Sequence, residues 1–310
     1  MQEILKLRPV FKERIWGGSK ISDVLGYELP FEKTGECWAI SAHPNGDCIV
    51  DNGFLAGKTL NNVYQTYPNL FSDWATYDEF PLMTKIIDAN ANLSVQVHPN
   101  NDYAMFYEKS LGKSECWYVL SAREDARIIY GHRAKSIEEF KHMVEDEAWH
   151  RLLIERRVKA GDFIYVPAGT LHAIGEGVMV LETQQSSDIT YRVYDYDRKD
   201  EHGNSRELHL QKALDVINIP HINPDFYQIG GDFGKSKITR LIRSKFFTVE
   251  LWDVQDKLEF DLLTYKLISV IEGHGTINGM DVKMGEHMII TRHAKTIKAN
   301  GTMKLILSNV

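Results

Sequence analysis

The chain has 310 residues, enough for one large core or two smaller ones, and its 43% apolar and 25% charged residues are ordinary for a globular protein. A net charge of −7 with no basic run or basic tail argues against a nucleic-acid or anionic-membrane partner, although a few local cations could still hold a small phosphorylated molecule. No apolar stretch is long enough to span a bilayer, the N-terminal stretch lacks the features of a signal peptide, and three sparse cysteines (Cys37, Cys48, Cys116) suit a reducing compartment, so a cytoplasmic location is expected.

In chain order, short strand-like runs dominate. Gly17-Gly18 is too short for a phosphate loop. Asp47 to Val50 reads as a strand and Thr59 to Tyr67 as a short helix. Leu82 to Ile87, Leu93 to His98, Cys116 to Leu120 and Ala126 to Tyr130 follow as strands between Gly, Asn, Asp and Pro clusters. Ser136 to Arg157 has near-helical apolar spacing, with Ser136 and Glu139 as a capping box and a break near Asp146. Phe163 to Val166, Val178 to Leu181 and Ile189 to Tyr194 return to strand, and Glu207 to Asn218 is a second helix candidate. His221 to Lys235 reads as a loop, after which strands resume from Phe246. The pattern predicts a mainly β fold with helical insertions, divided into residues 1–235 and a smaller, metal-free 236–310.

Four residues look like one metal site: Gln96, His98, Glu115 and His172. Three are good zinc ligand types, and glutamine is an unusual one. Gln96 and His98 stand two apart on a strand and share a face with Ser94, while Cys116 points away from the face of Glu115. On Ile189 to Tyr194, Arg192 should share a face with Thr190 and Tyr194. Gly285 to Thr296 faintly repeats Gly161 to His172, with Thr296 where the histidine stood, which suggests a duplicated unit with one live site.

The spacing G-x5-P-x-G-x2-H from Gly161 to His172 resembles the second motif of the cupin superfamily, whose members are small double-sheet β barrels with a metal in the mouth. Phe80-Pro81-Leu82, Lys85, Leu93 to Pro99, Lys113 to Trp117 and Gly169 to Ala173 together resemble the type I mannose-6-phosphate isomerase family in its short bacterial form. Trp16-Gly17-Gly18, Gly35 to Trp38, and Glu182 with Ser187, Asp188 and Arg192 fit the same family, and the likeness runs from about Pro9 to Arg198.

This resemblance implies two cupin-like jelly-roll β domains. It also implies one zinc ion per chain on Gln96, His98, Glu115 and His172, with Arg192 as the catalytic arginine. Glu182 matches a pocket acid or base, with Asp188 behind it, and Lys85 a lysine of the pocket wall. Ser94, Lys113 and Arg198 match positions that hold the substrate phosphate. The loop from His172 to Glu182 is one residue longer than in the larger enzymes, which loosens the Glu182 match. The implied reaction interconverts mannose 6-phosphate and fructose 6-phosphate through a cis-enediol, in a chain whose default state is a monomer. An oxygen-activating cupin and a non-catalytic sugar-phosphate-binding module remain as alternatives. The first would carry iron or manganese, and the second would show no turnover when metal-replete.

Overall fold

The computed structural model describes residues 2–72, 78–200 and 202–310, and strands are the commonest element among them. Two facing sheets make the N-terminal part. One has six strands, ordered Phe163–Val166, Glu115–Ala122, Val178–Gln185, Leu82–Asp88, Thr34–Ile40 and Val10–Gly18. The other has five, ordered Leu153–Arg157, Arg127–His132, His172–Ile174, Val95–Val97 and Tyr191–Tyr194. Period-two alternation divides the six-stranded sheet between two cores. Trp117, Val119 and Ile87 meet Ile128, Tyr130 and Ile174 of the five-stranded sheet. Cys116, Leu82 and Leu181, from the opposite face, pack on Phe247, Leu267 and Ile289 of the C-terminal part.

The C-terminal part is a nine-stranded sheet around its own core of Trp252, Val254, Ile268, Met288 and Leu305. Its long strands Thr248–Asp261 and Thr296–Asn309 pair along their whole lengths. Ile4–Arg8 joins this sheet between His287–Ile290 and Ile49–Val50, so the first strand of the chain lies beside one of the last.

Thr59 caps the Leu60–Thr66 helix through its side chain, as the sequence suggests. The region from Ser136 to Arg157 differs from its helical reading. Ser136 caps a helix over Ile137–Glu145 and a second turn covers Trp149–Leu152, but Leu153–Arg157 is a strand paired with Arg127–His132. Half-buried Ile154 and Arg156 alternate with exposed Glu155 and Arg157, and the open sheet edge decides for strand over helix. The supposed loop from His221 to Lys235 contains a strand, Ile229–Phe233, in a hairpin with Ser236–Arg243. The second helix is shorter than expected and spans Leu210–Val216.

The two short repeats use the same turn. Gly161 and Gly285 have φ of +88° and +87°, a conformation that glycine tolerates best, and each opens a strand. Among the described residues, no helix is long and apolar enough to cross a membrane.

Candidate active site

A cavity of about 580 Å³ lies between the two N-terminal sheets, within the usual range for a small-molecule site. Gln96 and Arg192 reach it from the five-stranded sheet, and Lys85, Glu115, Trp117 and Glu182 from the six-stranded one. The ladders set this meeting: His172 pairs with Gln96, Gln96 with Arg192, Glu115 with Gln184, and Glu182 with both Trp117 and Lys85.

His98, Glu115 and His172 are all buried, and one ligand atom of each lies within 4.8 Å of the others. His98 Nε2 is 3.4 Å from Glu115 Oε2, and His172 Nε2 is 3.3 Å from Glu115 Oε1. The other ring nitrogens face backbone carbonyls: His98 Nδ1 meets Ile189 O at 2.8 Å and His172 Nδ1 meets Thr170 O at 2.9 Å. A carbonyl only accepts, so both Nδ1 atoms donate and both Nε2 atoms carry lone pairs. Those lone pairs converge with a carboxylate whose two oxygens receive no well-aligned hydrogen bond. A buried group of three acceptors calls for positive charge. Lys113 brings one ammonium to Glu115 Oε2 and His98 Nε2 but not to His172, and backbone partners that orient ligating histidines are typical of metal sites. The donor set therefore fits a divalent metal such as zinc. Gln96 adjoins the group: its side-chain amide nitrogen lies 3.5 Å from His172 Nε2, and a half-turn of the amide would present the oxygen instead.

Lys113 sits deeper than a surface phosphate ligand would. Its Nζ is 2.8 Å from Glu115 Oε2 and 3.2 Å from His98 Nε2. Burial disfavours its charge, but Glu115 and then Glu182 reverse this and raise its proton affinity. Burial likewise opposes ionisation of Glu115, yet Lys113 and the two histidines hold its carboxyl well below the usual range.

Glu182 behaves oppositely. Burial, and then the neighbouring Glu115 charge, push its pKa up to about 7, with Lys113, Lys85 and the Trp117 indole opposing them. Trp117 Nε1 donates to Glu182 Oε1 at 3.0 Å. Lys85 lines the same wall, with Nζ 4.0 Å from Glu36 Oε2, 3.9 Å from Asp188 Oδ1 and 4.5 Å from the Trp38 ring centre. Burial raises the Glu36 carboxyl, but Lys85 and Arg14 outweigh it and bring the group to about 2.

Arg192 donates through Nε to Ser94 Oγ at 3.3 Å and through Nη1 to Glu207 O at 2.7 Å. Thr190 and Arg192 line the cavity, but Tyr194 does not share their face. A bulge between Arg192 and Tyr194 turns the tyrosine outward, where it stacks on Trp149 with ring centres 4.2 Å apart. Arg198 lies behind the cavity wall: Nη1 donates to Asn92 O, and Nη2 meets Asp195 Oδ1 at 2.6 Å. Arg206 lines the cavity, and local sequence carried no sign of it. Trp117 was more legible, since it stands two residues after Glu115 on one strand face.

Comparison with known proteins shows the family. Residues 4–125 match "Phosphomannose isomerase type I, catalytic domain", and residues 237–310 match "Mannose-6-phosphate isomerase, cupin domain". The mannose-6-phosphate isomerase of Streptococcus mutans is 46% identical over 317 residues, which cover 100% of this chain and 99% of that protein. The chain belongs to the type I mannose-6-phosphate isomerase family. The crystal structure of mannose 6-phosphate isomerase from Bacillus subtilis superposes with a TM-score of 0.97 at 42% identity, covering 100% of both chains. A zinc-bound mannose 6-phosphate isomerase shares the fold at 14% identity, with a TM-score of 0.79 over 99% of each chain.

The family's glycines have a physical reason at Gly17. A Cβ there would lie 2.4 Å from Gly35 N and 2.7 Å from Lys33 O. This close approach of two backbones sets Trp16 and Glu36 in the cavity wall.

Proposed function

We propose that this chain interconverts mannose 6-phosphate and fructose 6-phosphate, in the cytoplasm, as a zinc-dependent isomerase with one ion per chain and no obligatory protein partner. The observation that carries the metal reading is the convergence of two Nε2 lone pairs on a buried carboxylate, with both Nδ1 hydrogens fixed on carbonyls. His98, Glu115 and His172, with Gln96 beside them, are the proposed ligands. When bound, zinc supplies Lewis acidity beside the carbonyl and hydroxyl oxygens of the sugar.

Aldose–ketose isomerisation moves one proton between adjacent carbons through a cis-enediol. The group that carries it must release a proton about as readily as it accepts one near neutral pH. Glu182, whose proton affinity burial raises above that of an ordinary carboxylate, is the proposed carrier, and Trp117 fixes one of its oxygens. Asp188 stands behind it in the cavity wall. Arg192 would share the negative charge that develops on the enediolate, held in place by Ser94 and the Glu207 carbonyl. Lys85 and Lys113 flank Glu182 and temper its rise. Ser94 and Lys113 line the cavity and are the proposed donors toward the phosphate, whereas Arg198, which the resemblance offers for the same role, is turned onto Asn92 O and Asp195 behind the wall. We place the functional division near Lys235, with the ligand-bearing part before it. Among the described residues, the one His/Cys/Asp/Glu group fit for a metal is that of His98, Glu115 and His172.

The test couples fructose 6-phosphate formation from mannose 6-phosphate to a dehydrogenase, with metal content measured on the same preparation. Turnover should vanish on chelation and return with stoichiometric zinc. Absence of turnover in zinc-replete protein would defeat the isomerase reading, and full activity in metal-free protein would defeat the zinc.

A further inference from the structure

The cationic corner of the cavity is built from three arginines, Arg192, Arg198 and Arg206, and two carboxylates, Asp195 and Asp200. Asp195 follows the Tyr191–Tyr194 strand, and its side chain is only 6% exposed. It accepts Arg206 Nε on Oδ2 at 2.8 Å and Arg206 Nη2 on Oδ1 at 2.6 Å. The same Oδ1 takes Arg198 Nη2 at 2.6 Å. One carboxylate thus serves two guanidinium groups, and Arg192 beside them has no ion-pair partner among the described residues. Burial, and then the Arg206 charge, lower the proton affinity of Arg192, which marks the two groups as close neighbours. Asp200 also lines this wall, but its Oδ1 is engaged by the backbone N–H groups of His202 and Asn204. A surplus of positive charge therefore faces the cavity here.

The two arginines on Asp195 are placed differently. Arg198 is turned onto Asn92 O and is not part of the cavity wall. Arg206 is part of it, with its side chain 29% exposed. A hairpin closed by the Lys199–Ser205 bridge returns the chain to Asp195. Asp195 grips the guanidinium along one edge, and Nη1 has no protein partner among the described residues. A rigid fork with a spare donor edge suits a phosphate dianion.

We propose that Arg206, positioned by Asp195 and braced from behind by Arg198, contacts the phosphate of the sugar substrate directly. This gives Arg206 the contact that the family likeness suggests for Arg198, and it rests on the isomerase reading above. Phosphate is remote from the reacting carbons, so the contact belongs to binding more than to the chemical step.

The experiment uses the full-length, zinc-replete protein and compares wild type, Arg206→Gln, Arg206→Lys and Arg198→Gln. KM and kcat are measured with mannose 6-phosphate, and inorganic phosphate serves as a competitive inhibitor. Arg206→Gln should raise KM and the phosphate inhibition constant in parallel, by about 10- to 100-fold, with a much smaller fall in kcat. Arg206→Lys, which keeps the charge but loses the fork, should recover part of both, and it carries the test if the glutamine variant does not fold. Arg198→Gln should change both constants less than Arg206→Gln. A fall in kcat with phosphate inhibition intact would assign Arg206 a merely structural role and overturn the proposal. So would a larger effect of Arg198→Gln on phosphate inhibition. If wild type shows no turnover, the isomerase reading fails by itself, and calorimetric titration of the same variants with inorganic phosphate still decides the role of Arg206.

Discussion

Arg192→Ala removes the one guanidinium of the cavity whose hydrogen-bond partners are both neutral. The structural loss is small. Ser94 Oγ and Glu207 O each lose one donor; Ser94 lines the cavity and Glu207 is exposed, so neither is left sealed from solvent and stability should change by about 1 kcal/mol or less. The catalytic loss is larger, because a full charge aimed at a developing oxyanion is removed from a half-buried site. Loss of one such donor costs about 3–4 kcal/mol in the transition state, so kcat should fall about 100- to 1000-fold. Zinc content is the internal control. Arg192 meets Gln96 through the backbone ladder, which does not depend on the arginine side chain, so the metal should stay. The assay is the coupled formation of fructose 6-phosphate, with zinc and thermal melting measured on the same sample. A rate within about threefold of wild type would refute the charge-sharing role. Loss of zinc would show instead that Arg192 supports the ligand cluster.

Two further outcomes follow from buried charges. Lys113 Nζ lies 2.8 Å from Glu115 Oε2 and would compete with a metal for the same lone pairs, so Lys113→Met should bind zinc roughly tenfold more tightly, as read by chelator competition, while losing turnover. Weaker zinc binding in that variant would contradict the competition. His287, in the C-terminal core, hydrogen-bonds Ser269 Oγ at 2.9 Å, and burial lowers its pKa to about 3. The unfolded chain binds a proton here first as pH falls below about 6.5, so acid favours unfolding. Stability should drop by about 1.4 kcal/mol per pH unit until the folded value near 3 is reached. The double variant His287→Leu with Ser269→Ala should flatten that part of the acid-unfolding curve, and an unchanged curve would show that His287 takes up its proton alike in the folded and unfolded chains.

The parts of the site on continuous strands could be read in advance. Gln96 and the residue two before it share a face because of the two-residue strand repeat, and Cys116 falls in the opposite core from Glu115 for the same reason. What escaped the sequence depends on partners far along the chain. The bulge that turns Tyr194 away from Arg192 arises where Tyr191–Tyr194 meets Val95–Val97. Leu153–Arg157 becomes a strand because Arg127–His132 offers it an edge. Arg206 reaches the cavity only because a hairpin brings it back to Asp195, eleven residues earlier in the chain. The depth of Lys113, among the histidines, depends on two sheets meeting face to face.

The Ile4–Arg8 strand lies between His287–Ile290 and Ile49–Val50. During synthesis this strand leaves the ribosome long before His287–Ile290, one of the two neighbours that hide its backbone. The cavity-bearing sheet shares a core with that same late region through Leu82, Cys116 and Leu181. Nearly the whole chain must therefore be present before either part has its complete set of neighbours, and contacts of such long sequence separation fold slowly. Until then, the apolar back of the sheet that presents Glu115 and Glu182 stays uncovered, and chaperones could bind it.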